Sequence, residues 1–122
     1  MIKRILVIDD DEGILSAFQA MQTMNGYVFE THATVDRLLS TQRKKYPDLI
    51  LLDVLLAGTD GRMISKQLKK QKKTKDIPII MFSATANIEQ SVKDAQADDF
   101  IQKPFEMDLL FAKIALQLKK RK

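Results

Sequence analysis

Three short apolar runs constrain this chain more than anything else in it. Ile5-Leu6-Val7-Ile8, Leu49-Ile50-Leu51-Leu52 and Ile79-Ile80-Met81-Phe82 contain no polar residue, and each stops at one: Asp9, Asp53 and Ser83. Runs this short suit strands better than helices, and unbroken rather than alternating hydrophobicity is the mark of a strand covered on both faces. Two weaker runs, Tyr27 to Thr31 and Phe100-Ile101, bring the strands to five. Between them apolar residues recur at helical spacing. Ile14, Leu15, Phe18, Met21 and Met24 predict a helix over Glu12 to Met24, closed by Asn25-Gly26, because both residues tolerate the left-handed conformation a helix end needs. Val35, Leu38 and Leu39 predict a second helix over Thr34 to Lys44, and Met63, Ile64 and Leu68 a third over Arg62 to Lys70. Asn87 to Ala95 and Glu106 to Leu118 complete the set. Strands that alternate with helices imply an α/β fold, a doubly wound parallel sheet built as (βα)5 with right-handed crossovers. Ligands of such sheets bind beyond the C-terminal ends of the strands.

Length and composition remove other classes. At 122 residues the chain suits one domain, residues 1–122, with one core and no room for a second. With 45% hydrophobic and 30% charged residues it is a typical globular composition, not a disordered one. Cysteine is absent, so disulfides, thiolate metal sites and thiol catalysis are excluded. His32 is the only histidine and reads as structural or exposed. No apolar run reaches the ~18 residues of a membrane span, and Asp9 to Asp11 interrupt the N-terminal run, which argues against a signal peptide. The expected location is therefore cytoplasmic, with no membrane partner. The net charge of +4 would permit nucleic-acid binding. However, the basic clusters at Arg43–Lys45, Lys69–Lys75 and Lys119–Lys122 read as helix ends, where lysine is favoured by the dipole. Direct nucleic-acid binding is not expected.

The strand ends carry the chemistry. Asp9, Asp10 and Asp11 follow the first strand, Asp53 the third, Ser83 the fourth, and Lys103-Pro104 the fifth. Asp11 alone reads as a helix cap. Three carboxylates converging on one sheet edge repel one another and need a cation. All-oxygen ligands without Cys favour Mg2+, or Mn2+, over zinc. A lysine and a hydroxyl beside them suit a bound phosphoryl group, whose oxygens metal, lysine and hydroxyl would share. One carboxylate can then act as nucleophile and form an acyl phosphate. Asp53, alone at its strand end, is the best candidate, and a phosphohistidine on another protein could be the donor.

These residues also resemble a known family. Ile5 to Glu12 is similar to the opening strand and acidic pair of the receiver domains of bacterial two-component response regulators. Pro47-Asp48-Leu49-Ile50-Leu51-Leu52-Asp53 resembles their phosphoacceptor motif, Ser83-Ala84 their Thr/Ser-Ala step, and Asp98 to Phe105 their closing signature. The likeness spans essentially the whole chain, with four motifs in order. It implies a flavodoxin-like strand order 2-1-3-4-5. It also implies that Asp53 accepts the phosphoryl group, that Asp10 holds Mg2+ with Asp9 supporting through water, and that the Leu55 carbonyl is a further metal ligand. Ser83 would bond a phosphoryl oxygen, and Lys103 would pair with Asp53 before transfer and with the phosphoryl group after it. A cis bond before Pro104 is expected. Phe100 takes the place of the switch aromatic, turning inward as Ser83 moves, against the alternative of a permanently buried strand residue. Leu55 and Thr85 stand where the family tunes dephosphorylation, and their poor hydrogen-bonding capacity suggests a state lasting minutes or longer. The implied partners are a sensor histidine kinase or a histidine phosphotransfer protein, and a downstream target or a fused output domain. A phosphorylation-dependent homodimer through the last two strand-helix units is left open. Two departures concern loops: Ala57 replaces the usual Pro, and Gln96 a frequent Gly, so Gln96 would be strained if its φ is positive.

Two rivals remain at this stage. Haloacid-dehalogenase-like Mg2+ phosphatases also combine Asp-x-Asp, a Ser and a Lys, which would make Asp9 the nucleophile. That family wants its last acidic pair after the Lys, whereas Asp98-Asp99 precede Lys103, and Asp53 is left unexplained. A receiver-like protein-binding module that is never phosphorylated is the second, opposed by the intact set Asp10, Asp53, Ser83 and Lys103.

Overall fold

In a computed structural model the described residues are 2–21, 23–34, 46–56 and 58–120. Five strands run parallel in one sheet. They are β1 (Lys3–Ile8), β3 (Tyr27–His32), β4 (Leu49–Asp53), β7 (Ile79–Ser83) and β8 (Asp99–Gln102), in the order β3-β1-β4-β7-β8. Counted along the chain this is 2-1-3-4-5, the expected flavodoxin-like order. A two-residue strand β2 (Thr23–Met24) adds an antiparallel edge beside β3. The helices are α1 (Glu12–Ala20), α2 (Gly61–Lys70), α3 (Glu89–Asp94) and α4 (Met107–Lys120). Between β4 and α2, β5 (Leu55–Leu56) and β6 (Thr59–Asp60) form a small hairpin.

The unbroken apolar runs are explained by what covers each face. Alternate residues of a strand point to opposite sides of the sheet. Leu6, Ile8, Ile50, Leu52, Ile79 and Met81 pack with Ile64 and Leu68 of α2 and Val92 of α3. Their neighbours Ile5, Val7, Leu49, Leu51, Ile80 and Phe82 pack on the other side with Phe18 of α1 and Leu110 and Ile114 of α4. All five residues of β4 and of β7 are buried. With both faces covered, the sheet's polar endings are left to its two edges.

The first helix is shorter than its apolar spacing suggests. It ends at Ala20, where the Met21 N–H donates to the Ala17 and Phe18 carbonyls. Asn25-Gly26 does not cap it. Asn25 (φ 55°) and Gly26 (φ 80°) are the two central residues of the β2–β3 hairpin. Helix ends and tight hairpins both require left-handed residues, but two in succession are the requirement of a primed β-turn, which Asn-Gly meets best. α3 is also shorter than expected and starts beyond Asn87, itself at φ 60°. α4 runs on to Lys120. The expected helix over 34–44 lies, apart from Thr34, outside the described residues, as does Ala57. No helix among the described residues is long and apolar enough to cross a membrane.

Gln96 does adopt the left-handed conformation, with φ 65°. A side chain at such a position costs about 1–2 kcal/mol that glycine avoids, partly offset by the greater freedom of glycine in the unfolded chain. Gln96→Gly is therefore expected to raise stability by about 0.5–1 kcal/mol. Urea unfolding should show a higher midpoint at unchanged slope.

Candidate functional site

β1 and β4 are neighbours, with Ile8 paired to Leu52. The residues that follow and end these strands, Asp9 and Asp53, therefore arrive side by side. Asp9 is fully buried and Asp53 is 6% exposed. Exposed Asp10 completes the group: one carboxylate oxygen from each of the three lies within 4.8 Å of the others. Asp11 stands apart. It caps α1, its Oδ1 accepting the Gly13 N–H at 2.8 Å.

Asp9 is tied on both sides. Its Oδ1 accepts the Asp11 N–H at 2.9 Å, and its Oδ2 accepts from Lys103 Nζ at 2.6 Å. Lys103 Nζ is 3.7 Å from Asp53 Oδ2 and 4.9 Å from the centroid of the Phe82 ring. The resemblance implied a Lys103–Asp53 pair. That ion pair is present at 3.7 Å, but the closer bond goes to Asp9, whose carboxylate is wholly desolvated, while Asp53 keeps some exposure and accepts the Leu55 N–H. The Lys103 N–H donates to the Ser83 carbonyl at 2.8 Å, and the Lys103–Pro104 peptide bond is cis.

Ser83 ends β7, two strands from β1, and is buried. Its Oγ accepts the Thr85 N–H at 3.0 Å. Thr85 is exposed, and Leu55 is 57% exposed at the start of the β5–β6 hairpin. Phe100 is half-buried and packs against the cluster shared by α2 and α3.

One residue of the site carries no chemistry and was not singled out in the sequence. Gly61 opens α2, and its N–H donates to the Val54 carbonyl at 2.7 Å. A Cβ there would lie 2.0 Å from the carbonyl oxygen of Asp53. The only hint in the sequence is a glycine next to Asp60, the α2 cap, whose Oδ1 accepts the Arg62 N–H. Nothing local in the sequence announces that the Asp53 backbone passes against it.

The crowding has an electrostatic consequence. Burial, and then the neighbouring Asp9 carboxylate, push Asp53 from 3.8 up to about 7, against the opposing pull of Lys103 and the Leu55 N–H. In the metal-free protein the folded state therefore holds a proton that the unfolded chain releases near 3.8. The stability this lends is complete below that value and is lost as pH rises through about 7. The metal-free protein is expected to melt progressively lower from pH 5 to pH 8, by at most about 1.4 kcal/mol per pH unit. Asp53→Asn should flatten this slope and melt higher at pH 8, read by thermal denaturation in EDTA.

The donor set fits a hard divalent cation. Three carboxylate oxygens face one another, two of the residues are buried, and the ionised form of Asp53 is disfavoured until positive charge is supplied. Asp9 is the worse nucleophile of the pair, since both its oxygens are engaged and it has no exposed surface.

Known proteins agree with this arrangement. The profile of the response regulator receiver domain matches residues 5–115. The chain is 35% identical over 93% of its length to the phosphate regulon transcriptional regulatory protein PhoB of Escherichia coli, covering 51% of that protein. It is 33% identical over 96% of its length to the DNA-binding dual master transcriptional regulator RpaA of Synechocystis, covering 49% of it. It thus spans about half the length of the curated relatives it matches. Among solved structures, NtrX from Brucella abortus superposes with a TM-score of 0.86 at 31% identity, over 99% of this chain and 28% of that one. A sheet of this order, these acids at its edge and this coverage lead to one conclusion: the chain belongs to the response regulator receiver domains of two-component signalling systems.

Proposed function

We propose that residues 1–122 act as one receiver domain in which Asp53 takes a phosphoryl group from a phosphohistidine of a sensor histidine kinase or a histidine phosphotransfer protein. The observation that carries this reading is the setting of Asp53: a nearly buried carboxylate at the end of a central strand, with the Asp9 and Asp10 oxygens within 4.8 Å and Lys103 Nζ at 3.7 Å. An oxygen of Asp53 attacks phosphorus, the new O–P bond replaces the N–P bond, and the histidine leaves with its electron pair. Asp9, Asp10 and Asp53, with the Leu55 carbonyl, would hold Mg2+, which neutralises charge on the phosphoryl oxygens when bound. Lys103, bonded to Asp9 in the unmodified protein, turns its ammonium to the new dianion. The Ser83 hydroxyl, whose oxygen accepts the Thr85 N–H, would donate its proton to a phosphoryl oxygen. Phosphorylation adds roughly −1.5 to −2 charge and three acceptors. Drawing Ser83 toward them opens space for Phe100, which has no hydroxyl to strand in an apolar pocket. Leu55 and Thr85 at the mouth give water little help in removing the group. The output is a changed surface on α3, β8 and α4, read by a downstream protein or a fused output domain, with a homodimer as one form of that output. Donors of this kind place the protein in the cytoplasm.

The test is intact mass after incubation with acetyl phosphate, with and without Mg2+. One added phosphoryl group that requires Mg2+ and disappears in Asp53→Asn is the expected result. Addition that survives the substitution would move the nucleophile to Asp9 and restore the phosphatase-like reading, and no addition at all would favour the unphosphorylated binding module.

A further inference from the structure

The site lies at the C-terminal edge of the sheet. The opposite edge carries a different charge. There the loop before β7 and the end of α4 meet around a groove of about 500 Å³ lined by Lys69, Lys75, Asp76, Asp98, Gln117 and Lys120. Two of the basic runs, separated by more than forty residues in the chain, are thereby brought together. Singly each is a solvated helix end, but Lys75 of one run and Lys120 of the other line the same groove, and further exposed lysines adjoin them in sequence.

The lysines differ in what they are doing. Lys69 is spent on structure: its Nζ donates to the Ile77 carbonyl at 2.9 Å and to Asp98 Oδ2 at 2.8 Å, which also accepts the Ile79 N–H. Lys70, Lys72, Lys73, Lys75, Lys119 and Lys120 are all exposed, and none has a side-chain partner among the described residues. Even with Asp76 set against them, they carry more positive charge than the net +4 of the whole chain.

We propose that this surface binds the phosphate backbone of nucleic acid without reading its sequence. Lysine ammonium groups are strongly hydrated point charges on flexible stems, suited to tracking a line of phosphates rather than clamping one anion. The groove lining includes no exposed large hydrophobic side chain, such as would anchor an acidic peptide or a lipid surface.

Fluorescence anisotropy of a labelled random-sequence DNA duplex, titrated with the full chain at stepped salt, tests this. Binding should weaken steeply with salt, by about 0.9 log unit per log unit of salt for each phosphate neutralised. Lys72→Glu/Lys73→Glu/Lys75→Glu should weaken it at least tenfold (~10-fold) and flatten the salt slope, and Lys119→Glu/Lys120→Glu should do the same. The corresponding Lys→Gln sets serve if a charge-reversed protein melts low. Lys73→Glu alone and Ser16→Glu/Gln19→Glu, at exposed positions on α1, both change the net charge by −2, and the α1 variant should weaken binding less than Lys73→Glu does. Equal losses in those two variants would reduce the effect to net charge and overturn the proposal. Failure of the wild-type chain to bind the duplex at low salt would also overturn it, as would tighter binding to phosphatidylserine vesicles or to polyglutamate than to the duplex.

Discussion

Lys103→Met is expected to destabilise the metal-free protein by about 3–5 kcal/mol at pH 8, the cost of leaving a buried charge without its partner. Lys103 Nζ is bonded to fully buried Asp9 and is 3.7 Å from Asp53, and no other cation is paired with either carboxylate among the described residues. Methionine keeps an apolar stem of similar length and removes the ammonium, with its ion pairs and its contact over the Phe82 ring, so the loss reports electrostatics rather than packing. Two features should accompany it. The deficit should shrink toward pH 5, because Asp53, deprived of the opposing pull of Lys103, binds a proton more readily in the folded state than in the unfolded chain. Mg2+ should recover more stability in the variant than in the wild type. Urea unfolding at pH 5 and pH 8, with EDTA or Mg2+, measures all three. A variant as stable as wild type at pH 8 would show that Lys103 is not the charge partner of this pair.

Gly61→Ala is the second large effect, and it contains no charge at all. The added methyl group would sit 2.0 Å from the Asp53 carbonyl oxygen and 3.1 Å from the Val54 carbonyl oxygen. These are backbone atoms and cannot rotate away as a side-chain tip would. Either α2 or the end of β4 must move. Overpacking of this kind costs about 3 kcal/mol, and displacing the backbone of Asp53, the proposed nucleophile, by even ~1 Å is expected to lower the rate of the proposed phosphoryl transfer about 10²-fold. Thermal melts and the rate of Mg2+-dependent mass gain from acetyl phosphate read the two effects separately. Wild-type values of both would mean that the approach of Gly61 to Asp53 is looser than described.

Much of this molecule can be read without coordinates. Four-residue apolar runs told strands from helices because a strand covered on both faces has no solvent side on which to place polar residues. The polar residue after each run located the site, because parallel strands in a doubly wound sheet end on a common edge. The carboxylates, hydroxyl and lysine named from sequence do meet: Asp9, Asp10 and Asp53 directly, Lys103 across Asp9, and Ser83 on the same edge. Gln96 stands where the resembled family frequently has Gly, which implied strain if its φ were positive, and its φ is positive.

What the sequence by itself determined is whatever depends on one residue and its near neighbours: the strand and helix periods, the polar strand ends, the Asp11 cap. Asn25-Gly26 marks the boundary of that knowledge. Its left-handed preference is local, but whether it closes a helix or turns a hairpin is decided by the availability of β3 as a pairing edge. The tertiary structure alone decided that Lys103 bonds Asp9 more closely than Asp53, that Gly61 must lack a side chain, and that two distant lysine runs share one face. Each of these is a distance between segments far apart in the chain. Electrostatic and steric energies depend on such distances, and no local pattern encodes them.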